Sequence, residues 1–122
     1  MFDDERPIYL QIADKIKEDI LGGVLKADEQ VMSTNQYAAF YRINPATAAK
    51  GFQLLVEEGI LYKMRGIGMF VSADALDKLL VYRRQRFFDD VVEPMIQEAT
   101  MIGIPLDEVI RRIEDMKDEQ AR

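Results

Sequence analysis

Apolar residues recur at helical spacing in the first half of the chain. The first such stretch follows Pro7 and repeats isoleucine every fourth residue, at Ile8, Ile12, Ile16 and Ile20. This spacing predicts a helix of about fifteen residues that the Gly22-Gly23 pair ends. We expect its isoleucines to pack beneath a later helix. The next residues, Val24-Leu25, are predicted to add a short strand to a sheet.

Two further helices are predicted on either side of a short turn, Tyr41-Arg42-Ile43. Ser33 followed by Gln36 has the form of a capping box, which predicts a helix over residues 34–41. Asn44-Pro45 suits the N-cap and first position of another helix, over residues 45–58. The apolar stripe of that helix consists of Ala48, Phe52, Leu55 and Val56. Gly59 is expected to end it.

A hairpin is predicted after the third helix. Residues 60–64 and 69–71 are β-prone and flank Arg65-Gly66-Ile67-Gly68, whose glycines permit a tight turn with a cation at its tip. Helix, turn, helix and hairpin in this order define a winged helix-turn-helix. The predicted fold class is therefore mostly α, with a winged helix-turn-helix of three helices and a β-hairpin wing in residues 1–72.

This architecture predicts which residues meet DNA. In a helix-turn-helix, the N-terminal part of the second helix contacts base edges in the major groove. The residues predicted to face the groove are Asn44, Ala46, Thr47 and Lys50. Phosphate contacts are predicted for Lys63, Arg65, Gly66 and the backbone near Ser33. The alternatives are that Lys50 is ordinary solvated surface and that Gly66 serves turn geometry alone.

The same residues carry a resemblance to a known family. Two stretches of this chain resemble the DNA-binding domain of GntR-family bacterial regulators. The longer one is STNQYAAFYRINPATAAKGFQLLVEEGILYKMRGIGMFV. The other resembles the first helix and following turn of that domain and reads PIYLQIADKIKEDILGGVLKADEQVMS. The part that begins INPATAAKGFQ resembles the YtrA subfamily. The resemblance implies a DNA-binding repressor of an operon, often one that includes ABC-transporter genes.

The chain departs from the family pattern at three positions. The family usually has proline where this chain has Met32, and a DNA-contacting arginine where it has Asn35. Asn35 can form a hydrogen bond with a base or a phosphate but supplies no charge. Ala46 stands where the YtrA branch often has a second asparagine, and its methyl group can still contact thymine. We therefore expect a changed sequence specificity, with Asn35 as a further candidate contact.

Composition narrows the possible functions. The chain has no cysteine and no histidine, so thiol chemistry, disulfides and histidine-ligated metals are excluded. We expect no enzyme, no metal site and no cofactor. No apolar run approaches the length of a membrane span, and the N-terminal residues are acidic where a signal peptide is basic. The expectation is a soluble, cytoplasmic protein.

The distribution of charge matters more than its sum of −6. Residues 1–30 carry a net charge of −4, residues 31–71 of +2 and residues 72–122 of −4. The predicted DNA-binding part is therefore the cationic third of an acidic chain. Local contacts with phosphate remain possible, whereas the acidic remainder weakens non-specific binding to nucleic acid. Ordinary scatter of charges is the alternative explanation.

The tail, residues 73–122, is predicted to contain two helices, the first interrupted at Pro94 and the second opened by Pro105 after Gly103. Their apolar stripes are too broad for one small monomer to cover. We therefore predict a homodimer with an interface formed by Leu80, Phe87, Phe88, Val91, Met95, Leu106, Val109, Ile110 and Ile113. The alternative is that the tail packs on its own winged helix.

A dimer has functional consequences. Two reading helices related by a two-fold axis match an inverted-repeat operator in double-stranded DNA. The tail is too small to enclose an ordinary ligand pocket, so an unknown small-molecule effector would bind within the dimer interface or between that interface and the winged helix. Two other functions stay open: a winged-helix module that binds protein, and a ligand sensor without direct operator recognition.

Overall fold

The computed structural model describes residues 2–121, and the predicted fold class is confirmed. The elements are α1 (Ile8–Leu21), α2 (Thr34–Tyr41), α3 (Pro45–Glu57), β1 (Leu61–Met64), β2 (Gly68–Val71), α4 (Ala75–Phe87), a π-helical segment (Phe88–Val92), α5 (Glu93–Met101) and α6 (Leu106–Gln120). The chain divides between Val81 and Tyr82 into two compact units. The first holds the winged helix-turn-helix and the start of α4, and the second holds the rest of α4, the π-helical segment, α5 and α6.

Local hydrogen bonds fix the beginnings of α2 and α3. The Ser33 hydroxyl accepts a hydrogen bond from the Gln36 backbone N–H at 3.1 Å, and the Gln36 side chain accepts one from the Ser33 N–H at 3.0 Å. This confirms the predicted capping box. Asn44 is the N-cap of α3, with Pro45 as its first residue, also as predicted.

The core of the first unit forms where α1 and α3 cross. Ile12, Phe52 and Leu55 are fully shielded from solvent there, and the predicted apolar stripes of both helices face each other. A Cβ at Gly51 would lie 2.9 Å from the Tyr9 carbonyl oxygen and 3.1 Å from Ile12 Cγ2. Gly51 therefore lets the two helix backbones approach more closely than any other residue would allow.

Tyr37 joins α2 to this core. Its ring packs edge-on against Phe52, with ring centroids 5.3 Å apart, and also contacts the Tyr41 ring. Burial raises the pKa of the Tyr37 phenol, so the group stays neutral at physiological pH. The turn that follows places Arg42 in the left-handed region, at φ 55° and ψ 50°. This conformation ends α2 and directs the chain into α3.

The wing is a two-stranded antiparallel hairpin in which Leu61 pairs with Val71 and Met64 with Gly68. The prediction that Val24-Leu25 would extend the sheet is wrong. The backbone N–H groups of both residues donate to the Asp19 carbonyl oxygen and so complete the end of α1. Residues 28–31 lie beside β2 instead, with an isolated bridge between Gln30 and Phe70.

The start of α4 belongs to the first unit. Ala75 and Leu79 are buried in the same core as the winged helix, although they belong to the tail, whose apolar surface was predicted to pack on a second copy. The neighbouring Leu76 is 43% exposed. One helical face is therefore divided between intramolecular packing and solvent.

The second unit shows the predicted interruption at Pro94, in the form of a π-helical segment. The Glu93 N–H donates to the Phe88 carbonyl oxygen, five residues back, before α5 continues through Pro94. A wider turn of this kind accommodates a residue that lacks an N–H and crowds the preceding turn. Gly103 and Pro105 then separate α5 from α6, as predicted.

Arg86 forms an ion pair within the second unit. Its guanidinium donates to both carboxylate oxygens of Asp90, at 2.9 and 3.0 Å. The hydrogen bond with Asp90 raises the pKa of Arg86. The pair joins residues four positions apart, so this guanidinium is engaged within the unit. Within residues 2–121, no helix is both long and apolar enough to cross a bilayer.

Substitution of Gly51 tests the close helix crossing. We expect Gly51→Ala to lower the free energy of unfolding by about 1 to 3 kcal/mol, because its methyl group overpacks against α1. Alanine has the higher helix propensity, so the opposite change, a gain of about 1 kcal/mol, would contradict the crossing. The measurement is urea unfolding. The control is Ala49→Gly at an exposed position of α3, which reports the effect of alanine and glycine helix propensity without the contact with α1.

Candidate nucleic-acid interface

The two faces of α3 differ in exposure. Ala48 and Phe52 are buried in the core, whereas Asn44, Ala46 and Lys50 are exposed and Thr47 is half-buried. The four residues predicted to face the major groove thus lie in the first turns of one helix, on the side turned away from the core. The small side chains at the start of the helix, Asn44, Ala46 and Thr47, allow a nucleic-acid backbone or base edge to approach closely.

Asn44 has a structural task as well as its predicted one. Its Oδ1 accepts a hydrogen bond from the Ala46 N–H at 2.8 Å, which satisfies one of the free donors at the start of α3. The Nδ2 group makes no hydrogen bond with residues 2–121. The cap therefore orients the amide so that its donor end points away from the helix and is available to an acceptor on DNA.

Lys50 lies over an aromatic ring from α1. Its Nζ is 4.1 Å from the centroid of the Tyr9 ring, within the range of a cation–π interaction. The Tyr9 carbonyl oxygen is also the atom that Gly51 approaches. Tyr9 thus both packs on α3 and restrains the lysine. No local pattern in the sequence marks Tyr9 as a functional residue.

The wing carries the second group of predicted contacts. Lys63 lies on β1 and Arg65 in the turn, and both are exposed. Gly66 adopts φ +78°, and a Cβ there would meet no atom within 4 Å. Glycine is therefore required at this position for its backbone conformation. The open space beside it leaves the Gly66 backbone accessible to a phosphate.

Ser33 and Asn35 form a third group, at the start of α2. The Ser33 hydroxyl is engaged in the capping box, so any contact with phosphate there involves backbone or the remaining capacity of that hydroxyl. Asn35 is exposed, and its side chain makes no hydrogen bond with residues 2–121. The position that usually carries an arginine in the family is thus open to solvent here.

Ion pairing leaves the predicted cations available. Lys17 of α1 pairs with Glu58 at the end of α3, with Nζ and Oε1 2.9 Å apart, so one carboxylate near this helix is neutralised. No ion pair is found for Lys50, Lys63 or Arg65 with residues 2–121. Within that range, no cluster of three or more acidic side chains is arranged to hold a metal ion.

Gln30 is a residue of this region that the sequence did not single out. Its side-chain amide donates to the Ile67 carbonyl oxygen at the wing tip, at 3.1 Å. The two residues are 37 positions apart, and no local pattern marks a contact of that kind. Only the folded arrangement of residues 28–31 beside β2 brings them together.

An exposed α3 beside an exposed cationic wing is the arrangement of a winged helix-turn-helix transcription regulator. Comparisons with known proteins agree on that class. No protein-family model matches the chain. Over 110 residues it is 29% identical to the HTH-type transcriptional repressor YtrA of Bacillus subtilis, covering 90% of this chain and 84% of that protein.

Solved structures give the same answer. A GntR family transcriptional regulator from Listeria monocytogenes superposes with a TM-score of 0.75 at 28% identity, covering 93% of this chain and 98% of that one. The DNA-binding domain of AraR in complex with operator ORX1 matches 59% of this chain and 93% of its own, with a TM-score of 0.55 at 26% identity. The chain is similar to GntR-family regulators, YtrA among them, so the predicted resemblance is confirmed, and these relatives are transcription regulators.

Substitutions of Asn44 test its role as the N-cap of α3 by their effect on stability, without DNA. We expect Asn44→Ala to lower the free energy of unfolding by about 1 kcal/mol, because the Ala46 N–H loses its acceptor. Asn44→Ser keeps an oxygen that can cap and should retain nearly all the stability. Urea unfolding measures both, with the exposed Asn35→Ala as control. Equal stability of all variants would show that the cap contributes nothing.

Proposed function

We propose that the protein is a sequence-specific transcriptional repressor that binds an inverted-repeat operator as a homodimer in the cytoplasm. DNA binding is assigned to residues 1–72 and dimerisation to residues 73–122. The observation that carries the proposal is the exposure of the N-terminal half of α3 next to an unpaired cationic wing within one compact unit. The relatives named as repressors, and the AraR domain solved with operator DNA, support it.

Base reading is proposed for α3. The amide of Asn44 can donate to an acceptor on a base edge, the methyl of Ala46 can contact thymine, and Lys50 can bind guanine O6 or N7. Thr47 lies beside them, and Asn35 at the start of α2 is the further candidate. Because the cap fixes Asn44 and the Tyr9 ring restrains Lys50, these side chains lose little freedom on binding.

Positioning on the duplex is proposed for the wing and the start of α2. Lys63 and Arg65 supply charge to phosphates, and the backbone near Gly66 and in the first turn of α2, after Ser33, supplies N–H donors. Such contacts hold the domain in register without reading sequence. With few cations and an acidic remainder, affinity should depend strongly on salt.

The proposed dimer rests on the exposed apolar surface of the second unit. All the predicted interface residues except the half-buried Leu80 and Val109 are exposed in the single chain, from Met95 at 40% to Phe88 at 69%. Met95, Ile104, Val109, Ile113 and Met116 line a groove of about 560 Å³. Arg111, Arg112, Glu108 and Asp115 border it with both signs of charge, which suits contact between two identical surfaces.

Repression would follow from occupation of a promoter. Two reading heads on a two-fold axis require half-site centres about one helical turn, roughly 34 Å, or a multiple of it apart. A small-molecule effector could relieve repression only by binding more tightly to a dimer geometry that no longer matches this spacing. The methionines of the second unit, Met95, Met101 and Met116, are exposed in the single chain, and packing at the dimer interface is the use that we propose for them.

Selection of bound duplexes from a random DNA pool tests the proposal. We expect the wild-type protein to enrich an inverted repeat, more strongly at low than at high salt, and the Lys50→Glu, Arg65→Glu double variant to enrich none. The matched control is Lys15→Glu, Lys26→Glu, which changes charge by the same amount outside the proposed contacts. Unfolding in urea establishes that all three proteins are folded.

Other outcomes favour the remaining functions. If no sequence is enriched at either salt concentration, direct operator recognition by the protein alone is wrong. Protein capture that the double variant leaves unchanged would then favour an interaction module. A thermal shift with a metabolite but with no duplex would favour a sensor.

Light scattering after size exclusion tests the dimer. We expect the wild type to elute at twice the chain mass of 14.1 kDa and Ile110→Glu, Ile113→Glu to elute at the chain mass, because carboxylates cannot be buried in an apolar interface. Asp118→Lys, on the other side of α6, is the control and should stay dimeric. A monomeric wild type at micromolar concentration would exclude the interface.

A further inference from the structure

A side chain from outside the hairpin forms a hydrogen bond with the tip of the wing. Within the hairpin, the Ile67 N–H donates to the Met64 carbonyl oxygen at 3.0 Å, and strand pairing ends at Met64 and Gly68. The Ile67 carbonyl oxygen accepts its hydrogen bond from Gln30 Nε2 at 3.1 Å. The turn that carries Arg65 is therefore linked to a segment that precedes α2.

Gly68 makes room for this link. Its φ is +149°, and a Cβ on it would lie 2.6 Å from Gln30 Nε2. Any other residue at position 68 would displace the amide from the position in which it reaches Ile67. The glycine and the glutamine thus fit each other directly.

Gln30 is itself held by backbone and side-chain contacts. It lies opposite Phe70 in an isolated antiparallel bridge, flanked by hydrogen bonds of 2.9 Å from the Val31 N–H to the Met69 oxygen and from the Val71 N–H to the Glu29 oxygen. The Tyr62 hydroxyl donates to Asp28 at 3.1 Å on the same segment. Because its backbone is fixed beside β2, the Gln30 side chain holds the tip of the wing in a defined position relative to the sheet.

We propose that Gln30 is a positioning residue for DNA binding: its amide holds the wing turn in one conformation and so presents Arg65 and the backbone near Gly66 to phosphate. The inference rests on the proposed function. A turn of four residues with two glycines has many conformations open to it, and ordering it on DNA would cost entropy. A turn already held by Gln30 avoids most of that cost.

The test compares Gln30→Met, which keeps the length of the side chain but removes the donor, with wild type on the selected duplex. One hydrogen bond contributes about 0.5 to 1.5 kcal/mol, so a loss of affinity of roughly 2- to 10-fold is expected. Gln30→Asn, whose amide is one methylene too short, should lose a similar factor. Gln97→Met, exposed on α5, is the control and should bind as wild type.

A cycle with Arg65→Ala tests the route of the effect. If Gln30 acts through the wing tip, Gln30→Met should weaken binding less in the Arg65→Ala background than in the wild-type background. Amide hydrogen exchange of the DNA-free protein gives an independent measurement. The Ile67 N–H should exchange faster in Gln30→Met while the N–H groups of α3 keep their protection.

Each other result overturns a separate statement. Failure of the wild type to bind any selected duplex overturns the proposed function. Wild-type affinity of Gln30→Met, or an equal loss in both Arg65 backgrounds, overturns the positioning role alone. Lost protection across the whole unit in both Gln30 variants would also overturn it, because Gln30 would then support the fold and not the tip.

Discussion

The contact between α1 and α3 is the constraint on which the first unit depends. At Gly51 the side chain is a single hydrogen, so the α3 backbone meets the Tyr9 carbonyl and Ile12 directly. Phe52 and Leu55, on the same side of α3, are completely buried as a result. With that side committed to the core, the rotation of α3 about its axis is fixed, and the side that carries Ala46 and Lys50 must face solvent.

The same contact orders the surface that the proposed function uses. Because Tyr9 lies at the crossing, its ring is held where the Lys50 ammonium can rest on it. Asn44 begins α3 with its own side chain as the cap, so the start of the helix is fixed too. The wing is attached from another direction, through residues 28–31 and the Gln30 amide. Three separate interactions thus restrain Lys50, the start of α3 and the tip of the wing.

The second unit follows a different principle. The apolar side chains of its helices are only partly covered by other residues of the chain. Phe88, Met101 and Ile110 remain more than half exposed. The Arg86–Asp90 pair and the π-helical segment organise the helices locally and bury little surface. Apolar surface of this extent on a small protein is usually covered by a partner, and a second copy is the partner that we propose.

The sequence by itself determined the elements whose causes are local. The Ser33 capping box, the Asn44-Pro45 start and Gly59 mark helix ends through neighbours a few residues away, so α2, α3 and the hairpin were predicted nearly to the residue. The interruption near Pro94 was predicted for the same reason, because proline acts on its own turn of helix. The candidate contacts on α3 and the wing followed from those bounds and from the order of elements. Their contact with DNA stays a prediction.

The tertiary structure decided what depends on residues distant in sequence. Val24-Leu25 looked like a strand, but residues 28–31 pair with β2, since strand pairing is a choice between distant partners that local propensity does not make. Leu79 lies in the same helix as the exposed Leu76, yet the fold buries it against the winged helix. The restraint of Lys50 by Tyr9 and of Ile67 by Gln30 depends on chain crossings that no periodicity encodes.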